Sequence, residues 1–264
     1  MLTTTDSLLT QLAAISRKAG AAILEIYHDE ARFDRVDFKA DDSPLTLADQ
    51  AAHHAIVAEL DQLSPIYPIL SEEGRAIPYA ERSQWNRFWL VDPLDGTKEF
   101  IKRNGEFTVN IALVENGAVV MGCVHVPVSG KTYLAAKGEG AFVQETADAP
   151  LQRITASEFT MADKGLRLVC SRSHMSAEVE AYVKQFEEPE LVSMGSSLKL
   201  LMVAEGNADI YPRLGPTMEW DTAAAQIIVE EAGGVVLRDD TQEPLTYNKE
   251  NLLNPYFLVF GQRK

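Results

Sequence analysis

Residues 87–100 read RFWLVDPLDGTKEF: an apolar run, Phe88 to Val91, then two aspartates three apart, then a glycine before a new polar start. A short apolar run of this kind reads as a buried strand. Asp92 then sits at its carboxyl end, where open α/β sheets keep their ligand crevices. Pro93 sets the turn and Gly96 permits close backbone approach, so Asp92 and Asp95 can converge on one point. The following TKEFIKRN can start a helix, whose free amides at Gly96 and Thr97 face that point and can hold a phosphate. A cation site and an anion site thus coincide. A bare D-x-x-D-G is equally the pattern of a surface turn capped by aspartates, so the decision falls to the rest of the chain.

Outward from this stretch, further acids stand at the ends of elements. Glu72 and Glu73 close the strand-like YPILS, Asp49 follows SPLTLA, and Asp221 opens a helix in EWDTAAAQ. Hard divalent cations take oxygen ligands, and Mg²⁺ favours one or two carboxylates together with water and substrate phosphate. Residues 6–28 read as an amphipathic helix and 46–62 as a second, with Thr46 as its cap and Ala52, Ile56 and Leu60 on one face. FTVNIALVENGAVVMGCVHVPVSGKTYLAAKGEGAFV reads as a meander of three or four antiparallel strands. Beyond it, LRLVCS, ELVSMG and DIYPRL alternate with helical stretches, which favours an α/β layer. The polar stretch 144–165 marks a seam. Residues 1–150 are therefore expected to form an α+β domain with an antiparallel sheet and most metal ligands, and 151–264 an α/β domain contributing Asp221 and substrate contacts.

The composition narrows the partners. A chain of 264 residues with 24 Lys+Arg against 39 Asp+Glu carries a net charge of -15, which repels nucleic-acid phosphates. Cys123 and Cys170 sit in apolar contexts without metal-like spacing, the pattern of a reducing compartment. No apolar run approaches the roughly 20 residues that span a bilayer. A cytoplasmic protein, monomer or homodimer, is expected, with peripheral association at the inner membrane left open. G-x-S-x-G is absent, and no histidine pair has zinc spacing.

Three segments, SEE at 71–73, WLVDPLDGTKEF at 89–100 and WDTAAAQIIVEEAGG at 220–234, resemble in order and spacing the signature motifs of the lithium-sensitive, magnesium-dependent phosphatases of the inositol monophosphatase superfamily. The likeness runs over nearly the whole chain. Within that superfamily, DGTKEF with Lys98 and Glu99, KRNGEFTVNIALV, GSSLK at 195–199 and PLTYN at 244–248 are similar to the CysQ-type 3'(2'),5'-bisphosphate nucleotidases. Inositol monophosphatases usually carry asparagine where Glu99 stands. Ala225 departs from the glycine that many members have, a change that should tighten helix packing without removing a ligand.

The resemblance implies a layered αβαβα sugar-phosphatase fold, both α+β and α/β in character, with the metal site in the cleft between the halves. It implies two or more Mg²⁺ ions: Glu72, Asp92 and the Leu94 carbonyl around one, Asp92, Asp95 and Asp221 around a second. Thr97 with Asp49, assisted by Glu72, would orient and deprotonate the attacking water. Gly96, Thr97 and Asp221 would also meet the substrate. Ser196, Ser197 and Lys199 open a helix after a strand, so they can bind a second phosphate or the ribose, and Arg213 is the other candidate cation. Lys199 and Arg213 also fit as ordinary surface charges. His174 could meet the adenine, or be a plain loop histidine. The implied reaction is hydrolysis of the 3'-phosphate of adenosine 3',5'-bisphosphate to AMP and phosphate. The rivals are an inositol or fructose phosphate phosphatase of the same superfamily and, more remotely, a non-catalytic divalent-cation sensor.

Overall fold

The computed structural model describes residues 4–33, 36–38, 44–170 and 175–264. Seven strands, taken in chain order from Ile69–Ser71 through Arg87–Asp95, Thr108–Glu115 and Ala118–His125 to Gln152–Arg153, pair side by side in one sheet. The first pair is parallel and every later pair antiparallel. Alternate residues of Arg87–Asp95 serve opposite faces. Trp89 and Val91 join the core formed with helices Thr4–Tyr27 and Leu47–Leu60, while Phe88 and Leu90 join the core formed with helices Leu198–Ala204 and Glu219–Glu231. Helices cover the sheet on both sides, which is why the strand is apolar without alternation.

A second sheet of five strands has the order Glu190–Ser193, Arg167–Cys170, Ile210–Arg213, Phe257–Phe260, Val235–Arg238. Its first three strands are parallel, as the alternation of strands and helices predicts. Phe257–Phe260 runs against both of its neighbours, so Val235–Arg238 points with the first three; neither strand was foreseen from the sequence. Val169, Tyr211 and Val259 face the middle helices, and Leu168, Ile210 and Leu258 pack with Val183 of helix Ala177–Val183 on the far side. The layers thus run helix, sheet, helix, sheet, helix: the expected αβαβα arrangement. The middle core draws on both halves of the chain, since Phe88 and Ala112 share it with Ala224 and Ile228.

Two local features place the acids. Arg87–Asp95 does not stop at Asp92, where a turn was expected. Asp92 is opposite Asn110 and Asp95 opposite Thr108, so Pro93 and Leu94 together face a single residue, a bulge that absorbs a proline lacking an N–H. The turn begins only at Gly96, whose φ of 95° is left-handed. The other feature is Gly122: a Cβ there would lie 2.4 Å from the Ala224 carbonyl oxygen and 2.5 Å from Ile227. Helix Glu219–Glu231 therefore rests directly on sheet backbone. Among the described residues, no helix is long and apolar enough to cross a membrane.

Candidate active site

Four elements deliver the acids to one place. The Glu72 N–H donates to the Val91 carbonyl at 3.1 Å, setting Glu72 beside Asp92 as the parallel strands end. Asp221 is the third residue of its helix, and its Oδ2 accepts the Met218 N–H at 2.9 Å, a helix-start contact that fixes the side chain. Glu72, Asp92 and Asp221 each offer a carboxylate oxygen within 4.8 Å of the others. Asp49 occupies the corresponding third position of Leu47–Leu60, accepting from Thr46 through its N–H at 2.7 Å and its hydroxyl at 2.6 Å.

Burial dominates the electrostatics. It pushes the Asp92 carboxyl far up, with the charges of Glu72, Asp95 and Asp221 adding to it. Asp221 rises to about 8 through burial and then the nearby Asp95. Asp95 is also raised by burial, against the pull of Lys199. Asp49 rises to about 6 through burial, opposed by its bonds from Thr46. Buried carboxylates that repel one another and supply only hard oxygen donors fit a divalent cation, which would neutralise them.

The remaining expected residues fall into distinct positions. Asp95 stands outside the group of three, and its Oδ2 accepts the Ser197 N–H at 2.5 Å. Leu94 donates its N–H to Asp92 Oδ1 at 3.0 Å. The Thr97 hydroxyl lies 3.3 Å from Asp49 Oδ1 and 3.5 Å from the Leu94 carbonyl, so one proton is shared between two acceptors. Thr97 and Asp49, 48 positions apart, thus do meet. Gly96 heads the short helix Thr97–Ile101, and a Cβ on it would come within 3.0 Å of Ser196 Cβ and of the Glu106 carbonyl oxygen. A side chain there would crowd both neighbours on a backbone already left-handed.

A cleft of about 290 Å³ opens beside these acids, lined by Asp95, Gly96, Lys199, Tyr211, Arg213 and Asp221 among others. Lys199 is not a surface charge: burial pushes it down to about 8, partly offset by Asp95. Its ammonium lies 5.9 Å from the Tyr211 ring centroid. Arg213 donates to the Pro216 carbonyl at 2.7 Å, and its buried Nε has no partner among the described residues. Ser196 and Ser197 line the same cleft. The Ser197 hydroxyl is buried on Thr108 Oγ1 at 2.7 Å and Asn110 Oδ1 at 3.0 Å, and the Ser196 hydroxyl lies 3.2 Å from Thr108. These hydroxyls are engaged with the sheet, because the turn before Leu198–Ala204 lies against it. His174 falls outside the described residues.

Thr108 and Asn110 were missed in the sequence. Both are buried, and through Ser197 they support Asp95. Their signal was present: two polar residues at i and i+2 in the otherwise apolar FTVNIALV.

Residues 5–256 match the inositol monophosphatase family. The chain is 45% identical over 253 residues to the 3'(2'),5'-bisphosphate nucleotidase CysQ of Escherichia coli, covering 96% of this chain and 99% of that one. It is 36% identical over 265 residues to the CysQ of Haemophilus influenzae, covering 100% and 96%. The crystal structure of CysQ from Bacteroides thetaiotaomicron superposes with a TM-score of 0.86 at 45% identity over 100% of both chains. An IMPase from Thermotoga maritima gives 0.78 at 27% identity, over 96% of this chain and 92% of that one. By sequence, by fold and by the acids gathered at the end of Arg87–Asp95, the chain belongs to the inositol monophosphatase family.

Proposed function

We propose that the protein is a Mg²⁺-dependent phosphatase that hydrolyses the 3'-phosphate of adenosine 3',5'-bisphosphate, giving AMP and phosphate. Glu72, Asp92 and Asp221, with Asp95 and the Leu94 carbonyl, would hold two or more cations. Bound there, such ions supply a more acidic water and neutralise charge on the phosphate. The chain's own contribution is proton handling and orientation. Thr97 orients the attacking water, and its proton passes towards Asp49, whose carboxyl at about 6 suits a base working near neutral pH. Attack on phosphorus breaks the P–O3' bond, and the 3' oxygen leaves with a proton. The backbone at Gly96 and Thr97 admits the reacting phosphate. Lys199 and Arg213 hold the second phosphate, and Ser196 contributes from the same turn. His174 is the proposed adenine contact.

One observation carries this reading: the acids Asp95 and Asp221 and the basic side chains Lys98, Lys199 and Arg213 line a single cleft, with Asp221 also in the group with Glu72 and Asp92 fit for a cation, an arrangement suited to a substrate with two phosphates. The names of the CysQ relatives support it. We place the reaction in the cytoplasm, with a small nucleotide as the partner and no nucleic acid, given the net charge of -15. Phosphate release from adenosine 3',5'-bisphosphate, inositol 1-phosphate and fructose 1,6-bisphosphate, each with Mg²⁺ and with or without lithium, tests it. Preference for the nucleotide, inhibited by lithium, is the expected result. Preference for a sugar phosphate overturns the substrate assignment, and turnover of none of the three overturns the enzyme.

A further inference from the structure

Away from the cleft, two ionic side chains from different halves of the chain grip one segment. Glu219, 0% exposed and two residues before Asp221, accepts the Asn248 N–H at 2.6 Å, the Lys249 N–H at 3.0 Å and the Lys249 ammonium at 2.5 Å. Arg82, 3% exposed, lies between Glu72 and strand Arg87–Asp95. Its guanidinium donates to Asn248 Oδ1 at 3.0 Å and to the carbonyls of Lys249 at 2.5 Å and Glu250 at 2.7 Å. The Asn248 amide returns a bond to the Arg82 carbonyl at 2.7 Å. Asn254 holds the same helix start, donating to the Met218 carbonyl at 2.8 Å and to Thr222 at 3.0 Å. Neither Arg82 nor Glu219 lines the cleft.

Desolvating two ions to fasten a loop is costly where apolar packing would serve. What the ions add is directional definition: a planar guanidinium on three oxygens, and a carboxylate on three donors. The linkage runs from the stretch after Glu72, through residues 248–250, to the first turn of the helix that carries Asp221. We propose that Arg82 and Glu219 are positioning residues which, through residues 248–250, set Asp221 against Glu72 and Asp92 and so set the affinity for the cation. This rests on those three acids being cation ligands.

The test is calorimetric titration of the metal-free protein with Mn²⁺, alongside its thermal midpoint in chelator, for Arg82→Lys, Asn248→Gly, their double variant and Asp221→Asn. Asn248 has a φ of 66°, so glycine keeps its backbone while removing its side-chain bonds. Arg82→Lys and Asn248→Gly should each weaken Mn²⁺ binding about tenfold, the range seen when groups that orient metal ligands are removed. The double variant should be no weaker than the worse single one, because both break one linkage. At saturating cation the substrate KM should be unchanged. Wild-type Mn²⁺ affinity in either folded variant overturns the proposal, as does a lowered thermal midpoint with unchanged affinity, or additive losses in the double variant. If Asp221→Asn itself binds Mn²⁺ like the wild type, the ligand assignment fails instead, and the proposal fails with it.

Discussion

Two charge clusters line one cleft, and burial drives them in opposite directions. The acids Asp95 and Asp221, with Asp92 behind them, are pushed towards the protonated form, whereas the base Lys199 is pushed down to about 8, towards the neutral form. Each cluster is therefore poorly solvated as it stands and gains from a ligand of opposite sign. The acids suit a cation and the bases an anion, with partial compensation between them from Lys199 on Asp95 and from Arg213 on Asp95 and Asp221. On the proposed function, the difference would separate chemistry from selection: the acids would serve any phosphate ester, and the bases would choose among esters.

That separation can be broken most severely at Asp92. Asp92→Asn should lower kcat about 10³-fold on every phosphate ester, the scale on which losing one preorganised electrostatic group acts. In chelator it should also melt at a higher temperature than the wild type, since one of the repelling charges is gone. Phosphate-release assays and melts check the pair of outcomes, and a lower melting temperature would count against mutual repulsion. Next in size, Lys199→Met or Arg213→Met should raise KM for adenosine 3',5'-bisphosphate by about 10- to 100-fold, the cost of a charged hydrogen bond. Inositol 1-phosphate should be little affected; equal losses on both substrates would erase the distinction between the clusters.

A pH series sharpens the comparison with smaller effects. Asp221 is raised to about 8 from 3.8 and Asp49 to about 6. An acid raised in the folded state stabilises it fully below the unfolded value, and that contribution is lost as pH rises through the folded value. The melting temperature of the metal-free protein should therefore fall between pH 4 and pH 8, and Mg²⁺ should flatten the fall. Lys199 has the opposite sign: its penalty is full below about 8 and is relieved as pH rises towards 10.5. A metal-free protein whose melting temperature rises from pH 5 to pH 8 would contradict the direction assigned to the acids. Smallest of all, Ser197→Ala keeps the N–H on Asp95 and loses only the bonds to Thr108 and Asn110, about 1 kcal/mol of stability. Denaturant unfolding measures it, and kcat should stay within about threefold, since roughly 1.4 kcal/mol is needed for a factor of ten.

Much of this was legible in the sequence because the acids lie in short local motifs. Asp95, Glu72 and Asp221 each stand at the end of an element whose pattern is readable on its own, and Asp92 closes the apolar run of Phe88 to Val91. Contacts between distant positions were not readable. The 3.3 Å approach of Thr97 to Asp49, and the grip of Arg82 on residues 248–250, follow from how layers stack. The bulge at Pro93 and Leu94 was hidden for a different reason, since a proline after an apolar run reads as a stop unless the partner strand is known. The antiparallel strands Val235–Arg238 and Phe257–Phe260 are four residues each, too short for periodicity to declare their direction. Ser197 reads as a phosphate or ribose contact from its place at a helix start, and the bonds of its hydroxyl to Thr108 and Asn110 depend on the layer beneath it.

Gly122 carries a consequence of a different kind. Because the sheet at that point has no side chain, the helix bearing Asp221 seats backbone against backbone on the layer that bears Asp92. A rotamer can relax; two stacked main chains cannot. The gap between acids from the two halves of the chain is therefore a machined tolerance of the scaffold, gauged at a residue with no chemistry of its own. Side chains around Lys199 and Arg213 can change without resetting that gauge, whereas a single methyl group at position 122 would shim it open.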